Sequence, residues 1–139
     1  MTEPDWVDEP AVLAIHDLSL ARHGGAPGIR DINLLLSALA RPRQHFVYAG
    51  TVDPIELAAI LTAGIVKNHP FIDGNKRTGF TAGASFLQTN GYRLVASDEA
   101  VVKAVLDLAS GAIDEAAYAE FLRASTVPSA PSHPQSPAS

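Results

Sequence analysis

His69-Pro-Phe-Ile-Asp-Gly-Asn-Lys-Arg-Thr-Gly-Phe80, HPFIDGNKRTGF, interrupts a chain that otherwise reads as alanine- and leucine-rich helix. The stretch decides the fold, because it is the break between two apolar helices. Before it, PIELAAILTAGIVKN (54–68) is apolar almost all round, which marks a central, buried helix. Asp53 and Pro54 open that helix and Pro70 stops it. After it, a helix starts near Asn75 and runs to a stop at Asn90–Gly91. Gly79, Ala82, Gly83 and Ala84 on this second helix permit close packing.

Reading outward, Pro10 sits in the first turn of a helix that ends at Gly24–Gly25. After the turn APGIRD, Asp31 caps INLLLSALA, which is expected to end before Pro42. RPRQHFVYAG (41–50) has aromatics, a β-branched residue and a closing glycine, and reads as an irregular excursion or small β-hairpin. YRL (92–94) is a short extended link. Ser97 or Asp98 caps the next helix, Gly111 ends it, and DEAAYAEFLRAS forms the last. The expectation is an all-α bundle of about six helices. Residues 1–8 read as a flexible arm, 9–124 as the domain, and 125–139, with four of the ten prolines, as a disordered tail.

Composition narrows the function classes. A chain of 139 residues suits one domain. With no cysteine, thiolate metal sites and a Cys nucleophile are excluded, and a reducing, cytoplasmic setting fits. The polar start is no signal peptide, and no apolar run approaches the ~18 residues of a membrane span. A net charge of -5, with ten Lys and Arg spread thinly, argues against direct nucleic-acid binding.

The polar residues of the loop suit phosphate chemistry. Phe71 and Ile72 are apolar, so at least one should point inward and hold the loop by packing. Gly74 and Asn75 lie where a helix begins, and a helix N-terminus offers unpaired N–H groups and partial positive charge to an anion. Lys76 and Arg77 add two cations there. Asp73 is a hard oxygen ligand suited to Mg²⁺, which rides on nucleotide phosphates. His69 carries an imidazole, the side chain that exchanges protons near neutral pH. Taken singly, each has an ordinary reading: Asp73–Gly74 is a turn, Lys76–Arg77 a solvated pair, His69 a capping histidine. Together they are the parts of phosphoryl or nucleotidyl transfer. The spacing is not that of a Walker P-loop.

HPFIDGNKRTGF closely resembles the signature of the Fic/Doc family, His-Pro-Phe-x-Asp/Glu-Gly-Asn-Gly/Lys-Arg. HGGAPGIRDINLLLSALARP and FLQTNGY resemble its death-on-curing (Doc) branch, so the likeness covers roughly residues 10–123. The resemblance implies a compact helical bundle with a small β-hairpin flap, here near Phe46 to Gly50, that holds target backbone by strand addition. It implies that His69 is the general base toward a target hydroxyl and that Asp73 holds Mg²⁺ on ATP. Gly74, Asn75, Lys76 and the following amides would cradle phosphate, and Arg77 would neutralise its charge. Most Fic enzymes move AMP and resemble one another in a glycine between the motif Asn and Arg and a second arginine eleven positions after the His. This chain has Lys76 and Phe80 there, as the Doc branch has lysine and an apolar residue. Doc-like proteins transfer the γ-phosphoryl group to elongation factor Tu, so a kinase acting on such a target is implied. AMP transfer is the alternative, and a non-catalytic nucleotide- or partner-binding module the second. No glutamate is followed by Gly or Asn, so the family's inhibitory helix is absent. Restraint is then expected from an antitoxin whose C-terminal segment folds onto the chain.

Overall fold

The computed structural model describes residues 2–50 and 52–130. Six helices occur among them: α1 Glu9–His23, α2 Ile32–Ala49, α3 Pro54–Asn68, α4 Asn75–Thr89, α5 Asp98–Ser110 and α6 Glu115–Ala124. Two short strands, β1 Tyr92–Leu94 and β2 Thr126–Pro128, pair antiparallel with Arg93 opposite Val127. The expected helical bundle is the observed architecture. No helix among the described residues is long and apolar enough to cross a membrane.

The core forms around α3. Every residue from Leu57 to Val66 is buried, and α4, α2 and α6 pack around this helix. Such all-round burial requires an apolar sequence with small residues where backbones meet. Gly83 of α4 shows the constraint: a Cβ there would collide with the Thr62 hydroxyl. Helix starts are set by local chemistry. The carboxylates of Asp8, Asp31, Asp53 and Asp114 and the hydroxyl of Ser97 each accept a hydrogen bond from a first-turn N–H.

Three expectations are corrected. First, α2 does not end before Pro42; it continues through it to Ala49. A proline inside a helix costs ~3 kcal/mol. Packing outweighs this, because Leu35, Ala38, Leu39 and Pro42 form one buried stripe. Each large apolar side chain in it contributes roughly 1.5–3 kcal/mol. The ion pair Arg41–Glu115 and the polar contact of His45 Nε2 with a Glu56 carboxylate oxygen, each 2.9 Å, tie the second half of α2 to α6 and α3. The Phe46–Gly50 stretch is therefore the last turn of α2, capped by Gly50 at φ 70, rather than a β-hairpin flap. The small sheet lies instead between β1 and β2.

Second, the segment read as a flexible arm is anchored. The Trp6 ring stacks on Phe86 (5.8 Å, 24°) and meets Phe46 edge-on (5.8 Å, 72°). Asp5 and Asn90 exchange hydrogen bonds, N–H to Oδ1 and Nδ2 to carbonyl, both at 2.9 Å. Third, the segment read as a disordered tail begins with β2. Ser129 N–H also donates to Gly91 O at 2.8 Å. These contacts are made by main chain and leave no side-chain signature. Residues 131–139 of the expected tail lie outside the described residues.

Candidate active site

The loop from His69 to Gly74 joins the end of α3 to the start of α4. Pro70 disfavours the right-handed helical conformation in the residue before it. His69 responds by entering the left-handed region, φ 56 and ψ 55, as the C-cap of α3. Among the described residues no other non-glycine residue has positive φ. Phe71 is fully buried and Ile72 is half exposed, so Phe71 is the inward anchor expected of the pair.

Asn75 closes the loop on itself. Its side chain, 4% exposed, accepts from Phe71 N–H at 2.9 Å and donates to Phe71 O at 3.0 Å. One donor and one acceptor of its amide are thereby committed to Phe71. Gly74 is the N-cap of α4 at φ 79, and no side chain caps the helix. The first-turn amides of α4 are left for a ligand or water, as a phosphate cradle requires. Lys76 and Arg77 are exposed at the same end.

The Asp73 carboxylate is gripped by backbone. Oδ2 accepts from Ala26 N–H at 3.2 Å and Oδ1 from Gly74 N–H at 2.9 Å. These bonds, the Ala26 bond first, with the nearby charges of Arg77 and Lys76, hold its pKa below the ordinary carboxylate value. Asp73 is thus an ionised carboxylate at neutral pH. No group of three His, Cys, Asp or Glu residues able to hold a metal occurs among the described residues. The donor set suits a hard cation that arrives with phosphate oxygens and takes one carboxylate, as Mg²⁺ does.

Three partners were not legible in the sequence. His16 of α1, 3% exposed, lies flat on Phe71 and donates from Nε2 to Asp73 O at 2.8 Å. A carbonyl only accepts, so Nε2 carries the proton. The second is the segment 24–31. Its Gly28 O accepts from Ile72 N–H, and its Arg30 and Asp31 N–H groups both donate to Pro70 O. Gly25 sits at φ 123, and a Cβ there would stand 3.0 Å from Asp73 Oδ2. The glycines of HGGAPGIRD were the available signal; they allow this close approach. The third is α5. With Asp73 to Arg77 and Phe80, its Val101, Val102, Val105 and Leu106 line a cleft of about 260 Å³. Charged groups stand on one side of that cleft and an apolar wall on the other. His69 is exposed outside this lining, at the other end of the loop.

This loop, the uncapped start of α4 and the Asp73 carboxylate lie within residues 6–87, which match the model of the Fic/DOC family. The chain belongs to the Fic/DOC family. Members of that family bind a nucleotide and a metal ion. Over 112 residues this Fic/DOC chain is 30% identical to "Protein kinase doc" of Escherichia phage P1, covering 81% of the chain and 88% of that protein. Over 98 residues it is 39% identical to "Toxin Doc" of Mycolicibacterium smegmatis, covering 69% of the chain and 71% of that protein.

Proposed function

We propose that this Fic/DOC protein is a cytoplasmic Doc-like toxin that transfers the γ-phosphoryl group of ATP to a hydroxyl of a protein target. Translation elongation factor Tu is the target we infer, from the resemblance to the Doc branch. The similarity to a protein named as a kinase supports phosphoryl transfer. The observation that carries the reading is the Asp73 carboxylate, held ionised beside the uncapped N-terminus of α4. A site that only bound a partner would need neither this carboxylate nor a base on the same loop.

The roles follow from the chemistry of each group. Bound ATP supplies the phosphoryl group, and Mg²⁺ neutralises charge on it. Asp73 would hold that cation, with both its oxygens already oriented by N–H donors. The backbone amides of Asn75, Lys76 and Arg77 would receive phosphate oxygens, and the Lys76 and Arg77 side chains would balance their charge. His69 would accept the proton of the attacking hydroxyl, a contribution of ~10²–10⁴-fold. The new bond joins the target oxygen to the γ-phosphorus, and the bond to the bridging oxygen breaks, leaving ADP. Val101, Val102, Val105 and Leu106 would shield the apolar side of the nucleotide. Restraint would come from an antitoxin whose C-terminal segment folds onto this chain.

The test is label transfer from ATP to protein in a bacterial lysate supplied with Mg²⁺. Label moving from the γ- but not the α-phosphorus supports the kinase. Label moving from the α-phosphorus alone makes the protein an AMP transferase. No transfer from either position, with or without His69→Ala as control, leaves only a binding module.

A further inference from the structure

The side chain of Arg30 reaches across from the segment before α2 to the last turn of α3. Its Nε donates to His69 O at 2.7 Å and its Nη2 to Asn68 O at 2.8 Å. These carbonyls belong to a helix end, where no intrahelical N–H is left to satisfy them. A guanidinium suits them doubly: its donors form a rigid fork, and its charge complements the helix C-terminus. The residue it grips is the left-handed His69, a conformation that persists only where its surroundings hold it.

We propose that Arg30 is the positioning residue for His69, and this rests on His69 being the base of the reading above. The loop is bonded from behind. The carbonyl of Pro70 accepts from Arg30 N–H (2.7 Å) and Asp31 N–H (3.0 Å), and Phe71 O accepts from Asn75. Together with Arg30's two bonds, these satisfy the carbonyls of residues 68 to 71. His69 itself is exposed, so its imidazole is open to solvent and to a target. Arg30 is itself fixed, because its own N–H and that of Asp31 are committed and Asp31 caps α2. Asn68 is tied separately, by Nδ2 to Leu34 O at 2.9 Å. The end of α3 therefore survives loss of Arg30, while the His69 carbonyl loses its side-chain donor. Pro70 stays held by the two backbone bonds to its carbonyl, so the freedom gained is local to His69: its left-handed backbone loses one restraint, and the imidazole that it carries loses a fixed position.

The experiment compares wild type, Arg30→Ala and Arg30→Lys in three readouts: kcat for label transfer, KM for ATP, and amide exchange at His69 and Leu61. A misplacement of about 1 Å costs on the order of 10²-fold, so Arg30→Ala should lower kcat by about 10–100-fold. KM for ATP should stay within about twofold, because Asp73 and the amides of α4 are untouched. Arg30→Lys, a point donor without the fork, should recover only part of kcat. Exchange at His69, whose N–H donates to Ile65 O at 3.1 Å, should quicken while Leu61 in mid-helix keeps its rate. Wild-type kcat in Arg30→Ala overturns the proposal, and so does equal acceleration at His69 and Leu61, which marks general loosening. If wild type transfers no label, the kinase reading fails by itself. Exchange at His69 then still decides whether Arg30 holds it, and an unchanged rate overturns that hold.

Discussion

The imidazole of His16 lies on the ring of Phe71 at 3.8 Å between centroids and 9° between planes, and the same imidazole donates to Asp73 O. One side chain of α1 thus joins the apolar anchor of the loop to the residue whose carboxylate is proposed to hold the cation. The bond ends on backbone, so it sets where Asp73 stands without consuming its carboxylate.

Replacing His16 separates these two contributions. His16→Ala removes the donor to the Asp73 carbonyl and leaves a void against buried Phe71, and should cost about 2–4 kcal/mol in urea unfolding. His16→Phe keeps the ring contact and loses only the donor, so its loss should be nearer about 0.5–1.5 kcal/mol, the net worth of one ordinary hydrogen bond. Equal stability of His16→Phe and wild type would mean that the bond to Asp73 O contributes nothing.

Asp73 should couple folding to acid. Its pKa is depressed in the folded chain, first by the Ala26 N–H bond. The unfolded chain therefore binds a proton more readily. The stabilisation is fully present above the ordinary value of 3.8 and is lost as pH falls through the lower folded value. Asp73→Asn removes that ionisation and keeps one acceptor oxygen. The stability difference between wild type and Asp73→Asn should then be constant near neutral pH and shrink below about pH 4, measured by denaturant titration. A difference that grows in acid reverses the sign and refutes the argument.

Tyr118 marks a second coupling, in the core. Its side chain is fully buried, and its hydroxyl has no well-formed hydrogen bond, although Thr62 stands close enough to temper the effect. Burial pushes its pKa well above the ordinary 10.0. Since the folded value is raised, stability is intact below that ordinary value and is lost as pH rises beyond it. Tyr118→Phe removes an unsatisfied buried group and should stabilise by about 1 kcal/mol in thermal unfolding at neutral pH. It should also flatten the fall in stability above about pH 10. A Tyr118→Phe variant less stable than wild type would show that the hydroxyl is bonded after all.

Local chemistry was readable in the chain, and long-range backbone chemistry was not. Asp31, Asp53 and Ser97 announced helix starts because a cap is a contact between neighbours in sequence. The apolar run of α3 announced its burial for the same reason. Pro42 misled, because its local propensity is overruled by a stripe that packs on distant helices. Within the site, His69 and Asp73 stood out by residue type and spacing. Their supports did not: Ala26 and Gly28 act through main-chain atoms, and Arg30 and His16 reach the loop from 39 and 57 residues away. Asn75 is expected in the phosphate cradle, which its backbone N–H can still join; that its side chain serves Phe71 is a use that only the folded loop reveals.

Lys76 and Phe80 stand one turn apart on α4 and both line the cleft. Residues four apart on a helix share a face, so in the proposed reading their side chains would act on the same part of a bound nucleotide. Lys76 places a long cation beside the first-turn amides, where it would crowd one phosphate position. Phe80 extends the apolar wall of α5 where a second arginine would offer charge to phosphate. Together they should favour the nucleotide orientation that presents the γ-phosphorus to the acceptor. The double change Lys76→Gly, Phe80→Arg reverses both features, and should lower γ-label transfer at least about tenfold while α-label transfer appears. A tenfold change corresponds to about 1.4 kcal/mol of transition-state preference, within the reach of one charged contact. Glycine in the first turn should cost about 0.5–1 kcal/mol of stability, so the variant should stay folded by circular dichroism. Each single variant should shift the ratio of the two labels part of the way. If the folded double variant still moves only the γ-label, orientation is set elsewhere in the cleft, and Val102 and Leu106 on the facing wall are the next residues to change.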